Sequence, residues 1–127
     1  MINRPQIVPL YKKLQPHLLS TLKKLAIHEK SRIIMIDYKD ILYCKAESNY
    51  TIIYLNNNEK IVASKCLKNI IERINSNRFM RVHSSYFVNL SKVESIVKKD
   101  NWMIEIGRYF IPISRSNKEE VLAIFSY

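Results

Sequence analysis

The sequence predicts a mainly β, α+β chain of antiparallel strands, with one well-formed helix in the middle and a short helix at the C-terminal end. Three observations carry this. Apolar, β-branched and aromatic residues recur in short runs separated by Asn, Asp, Ser or Gly turns. A single stretch, Leu67, Ile70, Ile71 and Ile74, has the i, i+3, i+4, i+7 spacing of an amphipathic helix. Successive strands are joined by hairpin turns rather than helical crossovers, so a doubly wound nucleotide-binding fold is a poor description.

Taken in order, residues 1–24 stand apart from residues 25–127. Pro5, Pro9 and Pro16 interrupt the first segment, and Leu18, Leu19, Leu22 and Leu25 form a short helical stripe with Lys23 and Lys24 outside it. That segment reads as a linker or a docking helix. Strands are expected over 25–28, 32–36, 41–47, 50–55 and 60–63, with Asn56-Asn57-Asn58-Glu59 as a hairpin turn. Asparagine tolerates positive φ, which lets a strand-rich chain manage with Gly107 as its one glycine. Ser64 offers an N-cap for the central helix, and Asn75-Ser76-Asn77 ends it. From Phe79 to Leu90 polar side chains alternate with apolar ones, so Val82, Tyr86 and Val88 can face a core while the polar set is held outward. Strands over 93–98, 102–106 and 109–113 follow, with turns at Asp100-Asn101 and Gly107-Arg108. Ser116 and Glu119 have capping-box spacing ahead of a terminal helix carrying Val121, Leu122, Ile124 and Phe125.

Length and charge narrow the function. A chain of 127 residues, 47% apolar, suffices for one domain with a core plus an appendage. Twenty-one Lys and Arg against eleven Asp and Glu give a net charge of +10, which favours polyanionic partners, nucleic acid first and an anionic membrane surface second. The excess is spread along the chain rather than confined to a tail. Cys44 and Cys66 stand far apart without a CxxC, and His17, His28 and His83 are scattered, so neither a metal site nor a cofactor is expected. The two thiols read as reduced, packed cysteines. No apolar run approaches a membrane span and the N-terminus lacks signal-peptide character, so a cytoplasmic location is expected, away from the membrane.

An enzyme reading finds little support. One glycine excludes a P-loop, and His83 beside Ser84 and Ser85 has no orienting acid nearby in sequence. Asp37, Asp40 and Glu47 read as solvated strand-end residues. A DNA reading asks for cations and amides on several loops of a rigid scaffold. Three places supply them: Glu47-Ser48-Asn49-Tyr50-Thr51, Arg81 to Asn89, and Ser114-Arg115-Ser116-Asn117-Lys118. No acidic residue lies between Glu72 and Glu94 or between Ile106 and Glu119.

Four segments, Asp40-Ile41-Leu42-Tyr43-Cys44-Lys45-Ala46-Glu47-Ser48-Asn49-Tyr50-Thr51, Lys65-Cys66-Leu67-Lys68, Phe79-Met80-Arg81-Val82-His83-Ser84-Ser85-Tyr86-Phe87-Val88-Asn89 and Ile111-Pro112-Ile113-Ser114-Arg115, resemble in order and spacing the LytTR DNA-binding domain of bacterial response regulators. The resemblance covers roughly residues 25–125. It implies elongated antiparallel β-sheets whose loops enter successive major grooves of a promoter. Carried residue by residue, it implies base contacts from Asn49 or Tyr50, from Ser84 and from Arg115. Arg81, His83, Ser85, Asn89 and Lys118 match positions that bind the DNA backbone or brace the loops. It further implies double-stranded promoter DNA as partner and, as in relatives, a receiver domain ahead of the module, where some 24 residues precede it here; the Leu stripe is expected either to pack on the β module or to pair two chains, and pairing would suit a homodimer on repeated half-sites. A stand-alone regulator and the output domain of a two-component regulator both fit. Two other readings stay open: an RNA-binding module, which would group exposed aromatics on a sheet face, and a protein-interaction module built on the Leu stripe.

Overall fold

A computed structural model describes Leu19 and residues 21–126. Leu18 and the three proline breaks therefore lie outside the described residues. The chain runs β1 (Lys24–His28), β2 (Ile33–Asp37), a 3-10 turn (Tyr38–Asp40), β3 (Ile41–Glu47), β4 (Tyr50–Leu55), β5 (Lys60–Ala63) and α1 (Leu67–Arg73). It continues through β6 (Phe79–His83), β7 (Tyr86–Asn89), a second 3-10 turn (Leu90–Lys92), β8 (Ser95–Lys98), β9 (Trp102–Ile106), β10 (Tyr109–Pro112) and α2 (Lys118–Ile124).

All strand pairs are antiparallel. A five-stranded sheet in the order β5-β4-β3-β7-β6 forms the middle layer, flanked by the β1-β2 hairpin and a three-stranded β10-β9-β8 sheet. One face of the middle sheet, through Cys44, Ile53, Leu55, Phe79 and Phe87, packs on Leu25, Ile27 and Ile36 of the hairpin, on Leu67 and Ile70 of α1 and on Ile74 at its C-cap. The other face, through Leu42, Tyr43, Tyr54, Val82 and Val88, packs on Ile104, Ile106, Ile111, Ile113 and Val121. Both faces are covered, and this explains why β4 reads Tyr-Thr-Ile-Ile-Tyr-Leu rather than a strict alternation. On the second face Tyr43 stacks on Tyr54 at a ring separation of 4.3 Å, and Tyr109 meets both edge-on. Burial pushes the Tyr43 phenol above its ordinary pKa.

Positive φ falls where the turns need it: Asn58 at +64° in the β4-β5 hairpin and Gly107 at +59° between β9 and β10. A Cβ at Gly107 would come within 3.4 Å of the Leu42 side chain, so backbone and packing both favour glycine there.

Several expectations need correction. Leu25 belongs to β1 and is buried, whereas Leu19 and Leu22 are exposed, so the Leu stripe does not continue as one helix. The N-cap of α1 is Cys66, not Ser64, and it makes no side-chain cap bond. Cys66 is also exposed, unlike the packed Cys44, whose thiol burial pushes up to about 12. Asn117, not Ser116, caps α2, and the Ser116 hydroxyl lies 3.2 Å from Ser114 Oγ instead. The Phe79–Leu90 segment buries residues on both faces, with Phe79 and Phe87 opposite to Val82 and Val88. β8 begins at Ser95 because Asn89 first caps a 3-10 turn, its side chain accepting the Ser91 N–H.

Candidate nucleic-acid interface

Three loops singled out by the sequence converge at one end of the middle sheet. β3 and β4 close on a two-residue turn, Ser48-Asn49, between the paired Glu47 and Tyr50. β6 and β7 close on Ser84-Ser85, between His83 and Tyr86. Because β3 pairs with β7 through Lys45 and Tyr86, the two turns are neighbours, and the Ala46 N–H donates to the Ser85 carbonyl at 2.8 Å. The third loop joins beyond the edge strand β6, where the Ser114 N–H donates to the Val82 carbonyl at 2.9 Å. Its far side is held by α2: the Val121 N–H donates to the Asn117 carbonyl, and Val121 is fully buried. Arg115 therefore sits on a turn anchored at both ends.

Asn49, Ser84, Arg115 and Lys118 are exposed along this row, as is Tyr50 at 39%. His83 and Ser85 are half-buried, and their backbone and ring shape the turn: the Ser85 N–H donates to His83 Nδ1 at 3.1 Å. The Ser84 hydroxyl lies 3.5 Å from the same nitrogen, so these neighbours meet across the turn rather than pointing apart as they would within a strand. The Arg81 guanidinium donates to the Ser84 carbonyl at 2.5 Å, closing the turn from below, and a β-bulge between Arg81 and His83 aims the tip.

Asn89 is different. It is 2% exposed, its Nδ2 donates to the Ile41 and Tyr38 carbonyls at 2.9 and 3.4 Å, and its Oδ1 accepts the Ser91 N–H and hydroxyl. It lies at the sheet end away from the row, paired with Phe79, and acts there as a brace rather than as a group offered to a phosphate.

Lys65 is a member of the row that loop-by-loop reading left out. β5 runs back toward the same end, and the buried Thr51 hydroxyl donates to the Lys65 carbonyl at 2.8 Å, fixing the β5-α1 turn beside the β3-β4 turn. The sequence signals were its place in the Lys65-Cys66-Leu67-Lys68 segment and a hydroxyl residue inside a strand that is otherwise apolar.

Among the described residues, no ion pair involves Lys65, Arg81, Arg115 or Lys118. Glu47 faces Lys45 at 3.8 Å, with both side chains substantially exposed, a pairing of little energetic weight. Asp37 and Asp40 sit at the opposite end of β3 from Glu47, so the three carboxylates form no cluster. The Lys24 ammonium, 2.6 Å away, holds the Asp37 carboxyl below its usual range.

Ser48 adopts φ +56°, a left-handed conformation that costs a non-glycine residue roughly 1–2 kcal/mol. Ser48→Gly is expected to raise stability by about 0.5–1 kcal/mol, less than the relieved strain because glycine adds unfolded-state entropy. Urea titration monitored by circular dichroism checks this; a destabilised variant would show that the serine side chain holds the turn.

The LytTr DNA-binding domain profile matches residues 31–126, which include most of both cores and every loop of the row. The chain belongs to the LytTr DNA-binding domain family. It is 31% identical over 102 residues to the heme-containing CO-sensing transcriptional regulator RcoM 2 of Paraburkholderia xenovorans, covering 77% of this chain and 38% of that protein. It is 28% identical over 90 residues to an uncharacterized response regulatory protein of Vibrio cholerae, covering 66% of this chain and 34% of the relative. The LytTr chain thus spans little more than a third of these curated relatives. A solved LytTr DNA-binding domain from Bacillus cereus superposes with a TM-score of 0.68 at 14% identity, over 83% of this chain and 98% of that one, and shows the same fold. Among the described residues, no helix of this LytTr chain is long and apolar enough to cross a membrane.

Proposed function

We propose that the chain is a sequence-specific double-stranded DNA-binding regulator of transcription that presses one end of its middle sheet into the major groove. The observation that carries this is the convergence of the three loops through the Ala46–Ser85 and Ser114–Val82 hydrogen bonds. Five strands spaced by about 4.8 Å make the row roughly 20–25 Å long, enough for its outer members, Lys65 and Arg115, to reach beyond the groove entered by the central turns.

In this reading Asn49 or Tyr50, Ser84 and Arg115 meet base edges. Arg81, His83, Ser85 and Lys118 position the loops and meet phosphates, and Lys65 joins them. The Arg115 fork suits two acceptors of guanine, and the Asn49 amide suits adenine. Tyr43 and Tyr54 are spent on stacking inside the core, which supports a duplex reading over a stacking platform for single-stranded RNA. Promoter repeats, a homodimer on them, and a sensor or receiver domain elsewhere in the regulator belong to the same proposal.

Selection of bound sites from random duplexes tests it, with an enriched motif as the expected result. Arg115→Ala is expected to cost about 1–3 kcal/mol on the selected site and to flatten one base position, while Lys118→Ala weakens all duplexes alike. A preference profile unchanged by Arg115→Ala would remove that residue from base readout.

A further inference from the structure

At the end of the middle sheet away from the loop row lies an open cleft of about 880 Å3. Its lining joins the exposed Leu22 and the nearly buried rings of Tyr38 and Phe79 to the cations Lys23, Lys39, Arg78 and Lys92. The one carboxylate of the lining, Asp37, is already neutralised by Lys24 at 2.6 Å. The cleft falls in the size range of ligand and peptide sites, roughly 300–1,000 Å3. β3, with seven residues at about 3.3 Å each, separates it from the row by some 20 Å.

We propose that this cleft docks an acidic, partly apolar segment of a partner protein. Four cations beside apolar lining suit carboxylates interspersed with apolar side chains, and the concave shape suits an extended chain more than the convex surface of a duplex. Charge argues against the other occupants. Residues 1–18 of this chain contain Arg4, Lys12 and Lys13 and no acid, and a second copy brings a net charge of +10. A duplex seated on the loop row lies at the opposite end of the sheet. The inference rests on the proposed DNA reading only for that last point.

The test uses the full 127-residue chain saturated with random-sequence duplex, and a short fluorescein-labelled peptide of glutamates with two leucines as probe. Anisotropy is expected to report binding of the peptide to the DNA-loaded chain. Combined Lys39→Ala, Arg78→Ala and Lys92→Ala should weaken that binding about tenfold or more. A control of equal charge loss, Lys98→Ala, Lys99→Ala and Arg108→Ala, should leave it unchanged. No binding, equal weakening by the control triple, or displacement of the peptide by duplex would each overturn the proposal; the last would assign the cleft to nucleic acid. Failure of the DNA reading itself would show separately, in Arg115→Ala and site selection.

Discussion

Asn89→Ala is expected to lower the unfolding free energy by roughly 2–4 kcal/mol, a large share of the 5–15 kcal/mol typical of a domain. The side chain ties three segments together: the Tyr38–Asp40 turn through the Tyr38 carbonyl, the start of β3 through Ile41, and the turn after β7 through Ser91. Truncation leaves the buried Ile41 carbonyl without that partner and opens a space beside Phe79. Replacement by aspartate keeps the acceptor for Ser91 but buries a charge against two carbonyls, so it should be worse than alanine. Urea unfolding of both variants decides it. A loss below about 0.5 kcal/mol for Asn89→Ala would mean that the carbonyls it serves find water instead.

The second large effect is on DNA affinity. If about six phosphates are engaged by Lys65, Arg81, Lys118 and neighbouring groups, log affinity should fall with log salt at a slope near −5, a loss of about a thousandfold between 50 and 200 mM. Anisotropy with a labelled duplex across a salt series measures this directly. A flat response would leave the unpaired cations of the row without an electrostatic role and would remove the DNA reading. Lys65→Ala should reduce the slope by about one, and this separates its assignment from that of the other cations.

How far the sequence could be read varies along the chain, and the reasons are physical. The bounds of β3, β4, β5 and β9 agree with expectation because each is framed by turn residues whose backbone preference is local: Ser48-Asn49, Asn56 to Asn58, and Gly107. Local spacing also placed α1. What failed was whatever depended on tertiary partners. Cys66 caps α1 because Thr51 fixes Lys65 across the sheet, a contact that propensity does not encode. The alternation from Phe79 to Leu90 pointed to a single core face holding Val82, Tyr86 and Val88, yet Phe79 and Phe87 pack into the other core on the opposite face. The loops of the interface could be listed from their cations and amides. Their convergence could not, since it hangs on single hydrogen bonds between residues distant in sequence, Ala46 with Ser85 and Val82 with Ser114. For Asn89, matched to positions that bind the DNA backbone or brace the loops, the carbonyls that take up its amide are likewise distant in sequence.

The covering of the middle sheet on both faces bears on how target preference can change over evolutionary time. The side chains at the tips, Asn49, Tyr50, Ser84 and Arg115, lie outside both cores, so exchanging one for another residue leaves the scaffold nearly untouched. Val82, between two tip-bearing loops but with no exposed surface, has no such freedom, because its side chain fills the second core and its carbonyl holds Ser114. Duplicated copies of such a gene could therefore diverge toward different operators one tip residue at a time, each intermediate still folding, while the strands beneath stay locked to nearly the same apolar residues.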